Sequence, residues 1–75
     1  MRKNTDPVNH PAYYTFGVIE VMDAIEAWAL NFARGAVVKY VARAGRKDPA
    51  KEIEDLQKAR WYLDREIARL EKLAS

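Results

Sequence analysis

In the C-terminal third of the chain, apolar residues recur at alternating steps of three and four. They are Ile53, Leu56, Leu63, Ile67, Leu70 and Ala74, and Arg60 stands at the one position where the series breaks. Such steps place residues on one side of an α-helix, because 3.6 residues complete a turn. The spacing is that of a heptad seam with a single charged interruption, and Ala59 and Tyr62 widen the apolar face. Asp48-Pro49 supplies the start, with aspartate as N-cap and proline at the first helical position, where an N–H has no intrahelical partner anyway. The pattern predicts a helix over 49–73, roughly 37 Å long at 1.5 Å per residue.

Two shorter helices precede it. Val18, Met22, Ile25 and Ala29 share a face and predict a helix over 18–29, with Glu20, Asp23 and Glu26 mostly turned away and Trp28 extending the apolar surface. Asn31 is suited to cap the next helix, over 32–44, because its side chain accepts from an orphan amide. Phe32, Ala36, Val37, Tyr40, Val41 and Ala44 form its core face, and Gly45 is a natural stop. Gly35 inside that helix costs about 1 kcal/mol relative to alanine, so it implies a close backbone approach to a helix or to a ligand. Residues 1–16 hold Pro7 and Pro11 and read as an extended arm. Val8, Tyr13, Tyr14 and Phe16 are costly to leave in water, so residues 8–16 are expected to pack on the helices. The expectation is one all-α domain over 1–75: an arm, three helices, the last one long.

Size sharpens this picture. A chain of 75 residues buries a thin core. It has no cysteine, so neither a disulfide nor a thiolate ligand can staple it, and its single histidine, His10, argues against zinc. Oligomerisation is the remaining source of stability. The long helix outruns its neighbours, so the segment 63–73 is expected to pack partly against another subunit, giving a homo-oligomer. No apolar run approaches the roughly 20 residues of a membrane span, and Met1-Arg2-Lys3 leads into polar residues and prolines, with no signal-peptide core. A cytoplasmic protein with no membrane partner is expected.

The net charge is only +2, from 13 basic and 11 acidic residues, which argues against nucleic acid as the partner. The distribution is more informative. Acids dominate 20–26, whereas Arg34, Lys39, Arg43, Arg46 and Lys47 fall in one stretch without an acid. Lys39 and Arg43 share a helix face. Arg46 and Lys47 sit in the turn before the third helix, whose first amides could add to an anion site. The plainer reading is a solvated face whose cations complement a helix C-terminus. In the arm, His10, Tyr13 and Tyr14 offer rings that stack on a nucleobase, and the unperturbed histidine pKa lies near neutrality, so His10 suits general acid–base work. The plainer reading there is tyrosines covering the core. Glu20, Asp23 and Glu26 rotate around their helix, and Glu54-Asp55 suit a helix N-terminus. No metal ligand is assigned, although room is left for Mg2+ held through substrate phosphates. Neither a GxxxxGK[ST] loop nor GxGxxG occurs, and no serine has a nucleophile's setting.

Four segments in order, DPVNHPAYYT, GVIEVMDAIEA, RGAVVKYVARAGRK and EDLQKARWYLDREI, resemble a small bacteriophage family called SaV-like, over about residues 6–70. That family includes an early nucleotide kinase of short-tailed coliphages, which phosphorylates deoxynucleoside monophosphates and assembles as a large oligomer. The resemblance implies a nucleotide ligand, with Asn9, His10 and Tyr14 contributed by the arm and Lys39, Arg43 and Lys47 by the basic segment. Trp61 and Tyr62 match its third motif, with a core role as the other reading. The family pattern usually has a second histidine where this chain has Tyr13, which favours binding over turnover.

The leading expectation is therefore a phage nucleotide-binding protein. Arg34, Lys39, Arg43, Arg46 and Lys47 would hold phosphates, and His10, Tyr13 and Tyr14 would surround base or sugar. One form of it is a deoxynucleotide kinase with His10 as catalytic group. Another is a non-catalytic sponge for a nucleotide, such as a cyclic immune signal of the host. A third class is an inhibitor binding host protein or nucleic acid. On the nucleotide reading, Lys39→Ala and Arg43→Ala should weaken binding and leave stability nearly intact.

Overall fold

The structure, a computed structural model, describes residues 15–16 and 19–75. Strands β1 (Thr15–Phe16) and β2 (Ile19–Glu20) form a short antiparallel ribbon in which Thr15 faces Glu20 and Phe16 faces Ile19. Helices α1 (Val21–Ala27), α2 (Phe32–Arg43) and α3 (Glu52–Ala74) follow, and a single 3-10 turn at Pro49–Lys51 leads into α3. The architecture is all-α apart from the ribbon. Among the described residues no helix is long and apolar enough to cross a membrane.

The local signals act as capping chemistry predicts. Asn31 Oδ1 accepts from the Arg34 amide at 2.9 Å and starts α2. Asp48 Oδ1 accepts from the Ala50 amide at 3.0 Å, with Pro49 next to it, and starts the turn into α3. Gly45 lies beyond the end of α2 at φ +77°, which glycine adopts cheaply. The close approach implied by Gly35 is to another helix: a Cβ there would lie 3.2 Å from Ile25 Cγ2 of α1.

The first helix differs from the expected 18–29. Ile19 and Glu20 pair with β1, so α1 begins at Val21, and Val21 is buried where Met22 was expected to be. The helix then closes early. The Ala29 amide bonds to Glu26 O at 3.1 Å and the Leu30 amide to Ile25 O at 3.1 Å, with Ala29 at φ 51°. These are the paired bonds of a Schellman stop, made with alanine in the position that usually holds glycine. The arm assigned to 1–16 reaches the described residues only at Thr15–Phe16, and its remainder lies outside them.

Helix α2 packs mainly on α3, and small residues make the tightest part of the contact: Gly35 and Ala36 from α2 and Ala59 from α3 are buried. The face that α3 turns inward carries Asp55, Ala59, Tyr62 and Glu66, and Asp55 and Glu66 are its buried acids. The apolar seam lies roughly a quarter turn around the helix from that face. Ile53, Leu56, Leu63, Ile67 and Leu70 consequently keep between 41% and 72% of their surface exposed. Phe32 and Val41, expected in the core face of α2, are exposed as well.

Candidate functional site

Helix α2 divides the basic stretch between its two ends. Arg34 lies in the first turn and reaches across to α3, where its Nε donates to Glu66 Oε2 at 2.9 Å. Lys39 and Arg43 lie toward the other end, with Lys47 in the turn beyond. Five cations that are continuous in sequence therefore do not form one site within the chain. The acids missing from the stretch come from α3.

At the C-terminal end of α2, Arg43 Nε stands 3.4 Å from Asp55 Oδ1. This pair is enclosed, so Arg43 serves the α2–α3 contact at least as much as it serves a ligand. Around it the cations converge on one ring. Lys39 Nζ and Arg43 Cζ each lie 5.0 Å from the centroid of Tyr40, and Lys58 Nζ, from α3, lies 5.5 Å from it. Tyr40 in turn stacks on Tyr62 at 5.9 Å and 14° between planes. Cations near an aromatic face are attracted by its quadrupole, which offsets part of their mutual repulsion.

Beside this ring is a cleft of about 270 Å³. Arg43, Lys47, Lys51 and Lys58 line it, against the acids Asp48, Glu54 and Asp55. Asp55 is engaged by Arg43, and Glu54 Oε2 lies 3.4 Å from Lys58 Nζ in an exposed pair. Arg46 is exposed and does not line the cleft. The expected help from the amides of the third helix is reduced, because the Asp48 side chain already occupies the Ala50 amide.

At the opposite end of α2, Glu66 is a buried hub. Its carboxylate takes hydrogen bonds from Asn31, Arg34 and Arg69, and these hold its pKa at about 2, below the ordinary 4.5. The bond from Arg69 is the largest cause and that from Asn31 the next, while burial opposes them. Glu66 reciprocally raises Arg69. Sequence reasoning missed this hub, because Glu66 is 32 residues from Arg34. The one available signal was an acid at 66 falling on the same side of the helix as Asp55, Ala59 and Tyr62.

Asn9, His10, Tyr13 and Tyr14 lie outside the described residues. Trp61, which matches the third motif, is exposed, and Tyr62 is half-buried between Tyr40 and Phe32. Among the described residues no three His, Asp or Glu side chains form a group that could hold a metal ion.

A family profile described as Protein of unknown function (DUF3310) matches residues 8–64. No curated protein and no solved structure matches the chain.

Proposed function

We propose, for a chain that belongs to the DUF3310 family, that it binds a nucleotide through its phosphates at the C-terminal end of α2. One observation carries this reading. Lys39, Arg43 and Lys58, from two different helices, crowd within 5.5 Å of the Tyr40 ring centroid, and Lys47 and Lys51 line the adjoining cleft. Asp48, Glu54 and Asp55 neutralise part of this charge, but the cations still outnumber them, and a polyanion balances the excess. A ligand with two or more phosphates is therefore favoured, since it presents several acceptor oxygens to a spread of donors.

The resemblance to SaV-like phage proteins supports phosphoryl transfer to a deoxynucleoside monophosphate, in the cytoplasm of the host. His10, Tyr13 and Tyr14 then surround base or sugar, with His10 also the proton-transfer group and Asn9 a further arm residue of the site. With no P-loop in the sequence, such catalysis rests on positioning and on the cations. A second reading, sequestration of a nucleotide signal without turnover, is favoured by Tyr13, which stands where the family pattern usually has a second histidine. Incubation with deoxynucleoside mono- and triphosphates separates the two. Diphosphate products on chromatography support the kinase. Stoichiometric, reversible binding without product sinks the kinase and leaves sequestration. Absence of any binding sinks both.

The same reading includes a homo-oligomer assembled through α3. Its support is the exposed seam: a chain this small leaves Leu56, Leu63, Ile67 and Leu70 uncovered on one side of a long helix. A second copy offers the same seam as a cover.

A further inference from the structure

The Glu66 hub has more donors around it than it can use. Its Oε2 accepts from Asn31 Nδ2 at 2.7 Å, Arg34 Nε at 2.9 Å and Arg69 Nη2 at 3.1 Å, and its Oε1 accepts from Arg69 Nε at 2.9 Å. Each carboxylate oxygen offers about two lone-pair positions, so Oε2 is fully occupied and Oε1 has room for one more bond. A guanidinium carries about five N–H donors, of which Arg34 gives Glu66 one and Arg69 gives it two. The donors that Arg69 keeps are oriented by the same bonds, on a side chain that is 51% exposed. Beside Arg69 opens a cleft of about 710 Å³, to which Arg65 and Lys72 add charge; among the described residues Glu66 is the sole acid in its lining, and Arg34 is not part of it. Phe32, 81% exposed, forms part of the same wall.

We propose that this cleft is a second binding site, which takes a phosphoryl oxyanion and works independently of the site at the other end of α2. Arg69, fixed by two bonds to Glu66, and Arg65, which lines the same cleft, offer guanidinium donors to the spread oxygens of a phosphoryl group, and such N–H···O bonds are charge-assisted. Glu66 supplies the positioning, and Arg69, Arg65 and Lys72 the contacts. The first turn of α2 adds the positive end of its dipole. Asp55 and Glu66 lie eleven residues apart on α3, roughly 16 Å at 1.5 Å per residue, which keeps the two clefts separate. The phosphoryl group could belong to a nucleotide, whose base would stack on Phe32, or to an inorganic phosphate.

The test is a titration of the full chain with inorganic pyrophosphate and, in parallel, a nucleoside diphosphate, followed by NMR of the arginine Nε–Hε signals and backbone amides. Both ligands should shift Arg69 and Arg65, whereas the nucleoside without phosphate should not. Arg69→Ala should abolish the shifts of Arg65 and of the backbone amides that line the cleft. The double variant Arg65→Ala, Lys72→Ala, which leaves the Glu66 bonds intact, should weaken binding about tenfold. Lys47→Ala with Lys51→Ala should leave the Arg69 shifts in place, so this site can stand or fall apart from the other. Phe32→Ala separates the sources: a loss of about tenfold for the nucleotide alone identifies a nucleotide site, and equal affinity for both ligands identifies inorganic phosphate. Unmoved Arg69 and Arg65 signals, or full binding by the Arg65→Ala, Lys72→Ala variant, would overturn the proposal.

Discussion

Arg43 Nε lies 3.4 Å from Asp55 Oδ1, and the two side chains keep only 13% and 2% of their surface in water. Breaking such a pair from one side strands a charge in the interior, which is the costly outcome for a buried ion pair. Arg43→Ala should therefore destabilise the fold by about 3–5 kcal/mol, while Lys39→Ala stays within about 0.5 kcal/mol. Urea denaturation of both variants checks this. The expectation that either substitution spares stability is thus revised for Arg43. Equal, small effects would show that Asp55 finds other compensation.

Glu66 gives the fold a pH signature. Its carboxyl titrates at about 2 in the folded chain against an ordinary 4.5, so the folded state favours the charged form. Its contribution is complete above about pH 4.5 and is lost as pH falls through the folded value. Glu66→Gln removes that titration. The stability of the variant, measured by urea denaturation across this range, should fall less steeply with acid than that of the parent chain. Parallel curves would show that the hub does not carry the acid dependence.

Ala29 and Gly45 predict opposite outcomes of opposite exchanges. Ala29 occupies a left-handed position at φ 51°, so Ala29→Gly should stabilise the chain by about 0.5–1 kcal/mol. Gly45→Ala should destabilise it by about 1–2 kcal/mol, because φ is +77° and the new Cβ would lie 3.0 Å from Glu52 Cδ. Thermal melts of the two variants should move in opposite directions, and a shift in the same direction would exclude the stop assigned to α1.

The seam of α3 makes a prediction about mass. Leu63→Asp places a charge in the middle of the exposed stripe and should shift sedimentation equilibrium toward the monomer. Arg60→Leu removes the charged break and should strengthen association, by about 1 kcal/mol or more. An unchanged mass in Leu63→Asp would mean that subunits do not meet through this face.

Much of the fold could be read from local chemistry. Asn31, Asp48, Pro49 and Gly45 mark where helices start and stop because each acts on backbone groups within a few residues. The early end of α1 could not be read this way, since alanine carries no signal for a left-handed stop. The candidate site was legible only as a charge run. Whether Arg34 and Arg43 are poised for a ligand depends on Glu66 and Asp55, which are 32 and 12 residues away.

By itself, then, the sequence determined that there are three helices, where the second and third start, and the presence of an apolar seam, because periodicity and capping act within one or two turns. The tertiary structure decided which face of α3 meets α2. It brings small residues and two buried acids to that contact, and leaves the seam outside. Complementary charge and close approach set that contact, and both join residues far apart in the chain. The same long-range pairing splits the basic stretch into two ends, each with its own acid and its own cleft.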